Sequence, residues 1–204
     1  VRDIGREGLG SVSRSFYEAS TGRIYSALNY PGTVAHVAAI DVQTGRIDKL
    51  EDIKGPMMYQ VTSLAFDPEG RQLFFSADNG AMRDLMVYDI ATDKSRKTMK
   101  DARIGDLAFD HSDRSLWGLR HLDGYVTLVR IPAPYGEWED VHSWPYGMVP
   151  SEIDISPDGK LISATVAEIN GRQFMRIYSI QELENGERVP LQQFDFGHAV
   201  PEGF

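Results

Sequence analysis

The chain has 204 residues with 21 Lys and Arg against 30 Asp and Glu, and the resulting formal charge of −9 excludes the clustered positive surface that holds nucleic acid. The same charge disfavours an anionic membrane as partner. There is no cysteine, which excludes disulfides, thiol catalysis and cysteine metal sites, and no apolar run approaches the ~20 residues of a membrane span. Hydrophobic content of 42% and charged content of 25% are those of an ordinary globular chain. The chain begins at Val1 with no basic-then-apolar leader, so it reads as a mature protein or as a piece of something longer.

The first residues include Gly5-Arg6-Glu7-Gly8-Leu9-Gly10, which has neither the spacing of a phosphate loop nor a flanking βαβ unit and reads as a flexible segment. From Ser15 onward one phrase recurs. It reads SFYEASTGRIYSA from Ser15, SLAFDPEGRQLFFSA from Ser63, DLAFDHSDRSLWGL from Asp106 and EIDISPDGKLISAT from Glu152. Its apolar anchors Phe16, Leu64, Leu107 and Ile153 are separated by 48, 43 and 46 residues, the period of a β-propeller blade.

Each unit is predicted to contain four strands. An apolar strand such as 61–66 meets a polar turn, Asp67-Pro68-Glu69-Gly70 or Ser156-Pro157-Asp158-Gly159. Proline presets the turn backbone, aspartate bonds the amides beyond it, and glycine accepts positive φ. A second strand follows, as at 72–77, and then a third at 37–42, 85–90, 126–131 and 175–180. The fourth is more polar, as at 46–50 and 189–194, as befits an outer edge that meets water. Residues 180–184 could add one helical turn.

The expectation is an all-β propeller array over residues 1–204, with units near 11–56, 57–100, 101–146 and 147–197 and a fifth beginning at 198–204. At roughly 45 residues per blade, four blades are part of a ring of about 6–8. The alternatives are a four-bladed ring closed by its termini and two copies associating to complete one ring.

The phrase Ile155-Ser156-Pro157-Asp158-Gly159-Lys160-Leu161-Ile162 with Arg176-Ile177-Tyr178-Ser179-Ile180 resembles the TolB-like propeller repeat, a bacterial, WD-like repeat with an SPDGK turn and an IY strand. Phe66-Asp67-Pro68-Glu69-Gly70-Arg71 with Val87-Tyr88-Asp89-Ile90 matches nearly as well; Asp110-His111-Ser112-Asp113 has lost the Pro and Gly, and Ala19-Ser20-Thr21-Gly22 keeps only the Gly. The WD-type signature that combines Gly-His and Trp-Asp pairs in each repeat is absent. The resemblance implies a periplasmic scaffold or a lid on a serine peptidase, and it does not supply an activity.

Catalytic motifs are not found. Gly8-Leu9-Gly10-Ser11-Val12 lacks the closing glycine of a nucleophile elbow, and there is no His-Glu-x-x-His. His36, His111, His121, His142 and His198 lack ligand spacing, and each reads as a surface or turn residue. Asp67, Asp113 and Asp158 are explained by turn chemistry, and Asp78-Asn79-Gly80 lacks the alternating carboxylates of a calcium loop. No metal ligand, cofactor or catalytic residue is assigned.

If there is a site, it is expected at the channel mouth, where segments lead into each innermost strand and carry Tyr59, Arg103, Asp106, Glu152, His198 and Glu202. Such a mixture suits a protein, peptide or glycan ligand. Tyr135, Trp138, Trp144 and Tyr146 form either a recognition surface or, the preferred reading, a staple for their own loop. The leading functional expectation is therefore a non-catalytic, extracytoplasmic binding module. The alternatives are an accessory propeller whose hydrolase domain lies outside this chain, and a lactonase-like propeller enzyme with a channel metal.

Overall fold

The computed structural model of the chain describes residues 11–29, 34–52, 60–78 and 83–199. They form four antiparallel sheets of four strands, each strand pairing with the next in sequence. The first blade is β1 (Ser11–Glu18), β2 (Arg23–Asn29), β3 (His36–Asp41) and β4 (Ile47–Asp52), and the second is β5 (Gln60–Asp67), β6 (Gln72–Asp78), β7 (Arg83–Asp89) and β8 (Lys94–Met99). The third is β9 (Ile104–Phe109), β10 (Leu116–Leu122), β11 (Tyr125–Ile131) and β12 (Glu139–Ser143). The fourth is β13 (Met148–Ile155), β14 (Leu161–Glu168), β15 (Gln173–Ser179) and β16 (Gln192–Asp195), with the one-turn helix α1 (Ile180–Glu184) between its last two strands.

The all-β, four-stranded blades match the expected architecture, and α1 occupies the residues read as one helical turn. It starts because the Ser179 hydroxyl accepts from the Glu182 amide, and it stays because Ile180 and Leu183 are buried. Strand β16 begins at Gln192, three residues later than the pattern suggested. Fourth strands are the polar ones as expected: all of β16 is exposed.

The chain divides into two compact units, Val1–Ala102 and Arg103–Phe204, each holding two blades. In the first, Tyr25, Ala27, Val37 and Ala39 of one blade pack on Leu64, Leu73, Phe75 and Ala77 of the next. In the second, Trp117, Leu119, Val126 and Leu128 pack on Ile153, Ile162, Ala164 and Val166, with Trp144 and Tyr178 completing the layer. Period-2 alternation creates these faces: in β15, Phe174, Arg176 and Tyr178 are buried while the residues between them are only half-buried.

The inner turns follow the predicted chemistry with one change. The Asp67 carboxylate accepts from the amides of Glu69 and Gly70, and Asp158 accepts from Lys160 N and Ser156 Oγ. Gly159 has φ +68 as glycine's role requires, but in the second blade Arg71, with φ 51, is the left-handed residue, and in the third it is Arg114 with φ 62. In the second blade the left-handed position thus falls one residue past Gly70.

Candidate functional site

The inner strands of the second unit carry matching irregularities. In β9, Gly105 pairs with Leu119 and Ala108 with Trp117, so three steps oppose two. In β13, Ser151 pairs with Thr165 and Asp154 with Ser163, again three against two. The extra residue is a β-bulge, and in each case the residue just before the apolar anchor is acidic with a left-handed backbone: Asp106 at φ 48 and Glu152 at φ 49. The first unit has register shifts in its inner strands too, between Val12 and Ser15 and between Val61 and Ser63.

Non-glycine residues in this region store strain of about 1–3 kcal/mol, more readily tolerated by Asp than by Glu. Packing holds the bulge in place. Gly118 lies opposite it, and a side chain there would overlap Ile104 and press on Leu107, both fully buried.

Of the sequence-predicted residues, Arg103 and Asp106 are brought together with His121. The Arg103 carbonyl accepts from the His121 amide at 3.0 Å, and His121 Nε2 lies 3.9 Å from Asp106 Oδ2. Arg103 is itself left-handed at φ 58. Glu152 is exposed at the equivalent place in the next blade. His198 is elsewhere: it follows β16, at the opposite sheet edge from β13, with Nδ1 3.2 Å from the Gly171 carbonyl. Tyr59 and Glu202 lie outside the described residues.

Sequence reasoning set His121 aside as a surface histidine. The signal that finds it is hairpin arithmetic, because the end of a second strand must return to the start of the first. His142 also departs from that reading, being 7% exposed in contact with Trp144 at 4.5 Å, and burial, then the nearby Arg188 charge, pushes its pKa down to about 4.

The aromatic segment between the last two blades splits. Trp144 and Tyr135 are buried staples, the latter's hydroxyl donating to the Arg114 carbonyl, and Trp138 lies under the Arg120 guanidinium at 5.0 Å. Tyr146 instead is 70% exposed, edge-to-face with Tyr125 at 6.0 Å. Among the described residues, no group of three or more His, Asp or Glu is placed to hold a metal ion. The Asp106–His121 pair sets a half-buried carboxylate beside an imidazole.

No protein-family model and no curated protein matches the sequence. Solved structures do. TolB from Acinetobacter baumannii is similar with a TM-score of 0.61 and 12% identity, over 85% of this chain and 53% of its own. A protein described as TolB from Agrobacterium tumefaciens gives 0.69 and 9%, over 89% of this chain and 65% of its own. A structure from a study of two prolyl endopeptidases gives 0.57 and 15%, over 82% of this chain and 28% of its own. At such identities the likeness is one of fold: the chain has the β-propeller fold, and it spans about half to two thirds of the length of the two TolB structures.

Proposed function

We propose that this chain is a non-catalytic propeller binding module that engages a protein, peptide or glycan at the inner-strand end of its second unit. The observation that carries the reading is Asp106, an acid in left-handed backbone at a bulge, half-buried and facing His121. Bulges that re-aim one polar side chain are a device of binding sites. The likeness in fold to TolB structures supports a scaffold role and, with it, an extracytoplasmic location.

The test is photo-crosslinking from positions 121 and 152, at the inner-strand end, and from positions 112 and 158, in the turns at the other end. A bacterial envelope extract is expected to give a discrete adduct from the first pair only. Adducts from the second pair alone, or equally from both, overturn the reading. The alternative, an accessory propeller of a serine-peptidase-like hydrolase, draws support from the prolyl endopeptidase likeness. Labelling of the full parent protein by a fluorophosphonate would favour it.

A further inference from the structure

The inner-strand end of the second unit carries a ridge of exposed side chains, each resting on a left-handed glycine of a neighbouring turn. Tyr146 lies on Gly124, where an added Cβ would meet its ring at 3.1 Å and φ is +81. Ile169 lies on Gly147 at 3.3 Å and φ +85, and His198 lies on Gly171 at 3.4 Å and φ +82. Tyr125 extends the row through its ring contact with Tyr146. Exposures of 53% for Tyr125, 70% for Tyr146 and 84% for Ile169 contrast with Tyr135 and Tyr178 of the same unit, which are buried.

Glycine at these three turns lets the bulky neighbour sit directly on backbone, which fixes its position without covering it. The charge beside the row is also distinctive. Asp123, in the turn between His121 and Gly124, is exposed and has no hydrogen-bond or ion-pair partner among the described residues. Two of the cations at this end are committed: Arg172 pairs with Asp195, and Arg176 binds Glu168 at 2.8 Å. Two tyrosine faces beside an unspent carboxylate suit a cationic side chain, through cation–π attraction and a salt bridge together. The chain's charge of −9 would draw such a partner in.

We propose that this ridge docks an extended basic peptide, with lysine or arginine on Tyr125 and Tyr146 beside Asp123 and an apolar side chain on Ile169. The inference rests on the binding-module reading and names its partner. Alternate side chains of an extended strand face the same way, so one basic and one apolar series can meet the ridge and the solvent in turn.

The test titrates isotopically labelled protein with a short acetylated peptide alternating lysine and valine, against matched glutamate–valine and serine–valine peptides. Saturable binding of the lysine peptide is expected, with amide shifts gathered at Tyr125, Tyr146 and Ile169. D123N should weaken it roughly 3–10-fold and the pair Y125A/Y146A at least about tenfold, with thermal unfolding unchanged because all three side chains are exposed.

Affinity that survives these changes would mean diffuse attraction to an acidic surface and overturns the proposal. So does a lysine peptide that binds no tighter than the serine one. If the serine peptide alone shifts the ridge, the basic partner is wrong and the binding module stands; if none of the peptides shifts residues at this end and no crosslink forms from position 121, both fall.

Discussion

The two units solve the same packing problem by different means. Both press one blade on the next, and both bring the inner turn of the later blade against that of the earlier. In the first unit the junction is ionic: Arg71 reaches across to Glu18 at 2.6 Å, and Glu18, only 6% exposed, also accepts from Thr21 Oγ1 at 2.6 Å and Tyr25 OH at 2.9 Å. In the second it is steric: Gly159 lies on Ser112 and Asp110, and behind it Trp144, Tyr178 and His142 form an aromatic cluster. A fold that repeats its backbone need not repeat its chemistry. The difference should show in how each junction fails.

The largest effect is expected at the steric junction. Gly159→Val puts a branched side chain at φ +68 and into Ser112 and Asp110, and should cost the second unit about 3–4 kcal/mol. Gly22→Ala has nearly the same φ, +67, with nothing within 4 Å, and should cost only about 1 kcal/mol. Denaturant midpoints, with hydrogen exchange read blade by blade, separate the two. Equal losses would mean that φ alone decides and that the turn contact carries no weight.

Acid should reach the second unit first. The folded pKa of His142, about 4, lies below the unfolded value of 6.5, so the unfolded chain takes up the proton first and stability falls as pH drops between these values. The full effect is on the order of 3 kcal/mol. Glu18 behaves differently. Burial raises its pKa, but hydrogen bonds from Thr21 and Tyr25 and the Arg71 charge outweigh it, so the folded value lies below the usual 4.5. Its contribution is present above that value and is lost only as pH falls through the lowered one. H142F should therefore flatten the stability profile between pH 6.5 and 4 without changing it below, and a profile unchanged by H142F would show that another group governs that limb.

Cutting the ionic junction should cost less than the steric clash. Arg71→Met leaves Glu18 buried with only neutral donors, and since Arg71 is itself partly exposed the loss is about 2 kcal/mol. The double variant E18Q/R71M should recover part of it, because no buried charge remains. If the double is as unstable as the single, the junction is held by packing in this unit as well.

The blades were legible in the sequence because period-2 alternation and turn residues act locally, and the strand pattern survives even in the copies whose turns have lost the Pro or the Gly. Even α1 was visible, since Ile180 and Leu183 sit three apart after a capping Ser179. What was not legible depends on pairs far apart in the chain. Nothing local marks Arg71 as the left-handed residue in place of Gly70, or joins it to Glu18. His121 looked like one of five scattered histidines until hairpin register set it 3.9 Å from Asp106. The glycine-supported ridge is likewise a property of three turns at once, formed at Gly124, Gly147 and Gly171 by neighbours that are not adjacent to them in sequence.

The two bulge acids give the finest comparison. Asp106 and Glu152 have the same left-handed backbone, but Asp tolerates it through its short polar side chain, whereas Glu has no such compensation. Asp106 also faces His121, while Glu152 is exposed. Replacing each with glycine removes the Cβ strain and adds unfolded-chain entropy, so the outcome depends on what the side chain gave back. On the backbone strain alone, Glu152→Gly is expected to be more favourable than Asp106→Gly by about 0.5–1 kcal/mol. A Glu152→Gly variant that is less stable would mean that this carboxylate is held by its surroundings as firmly as Asp106. The bulge acids of both blades would then belong to one structural device, and the asymmetry that singles out Asp106 and His121 as the recognition pair would be lost.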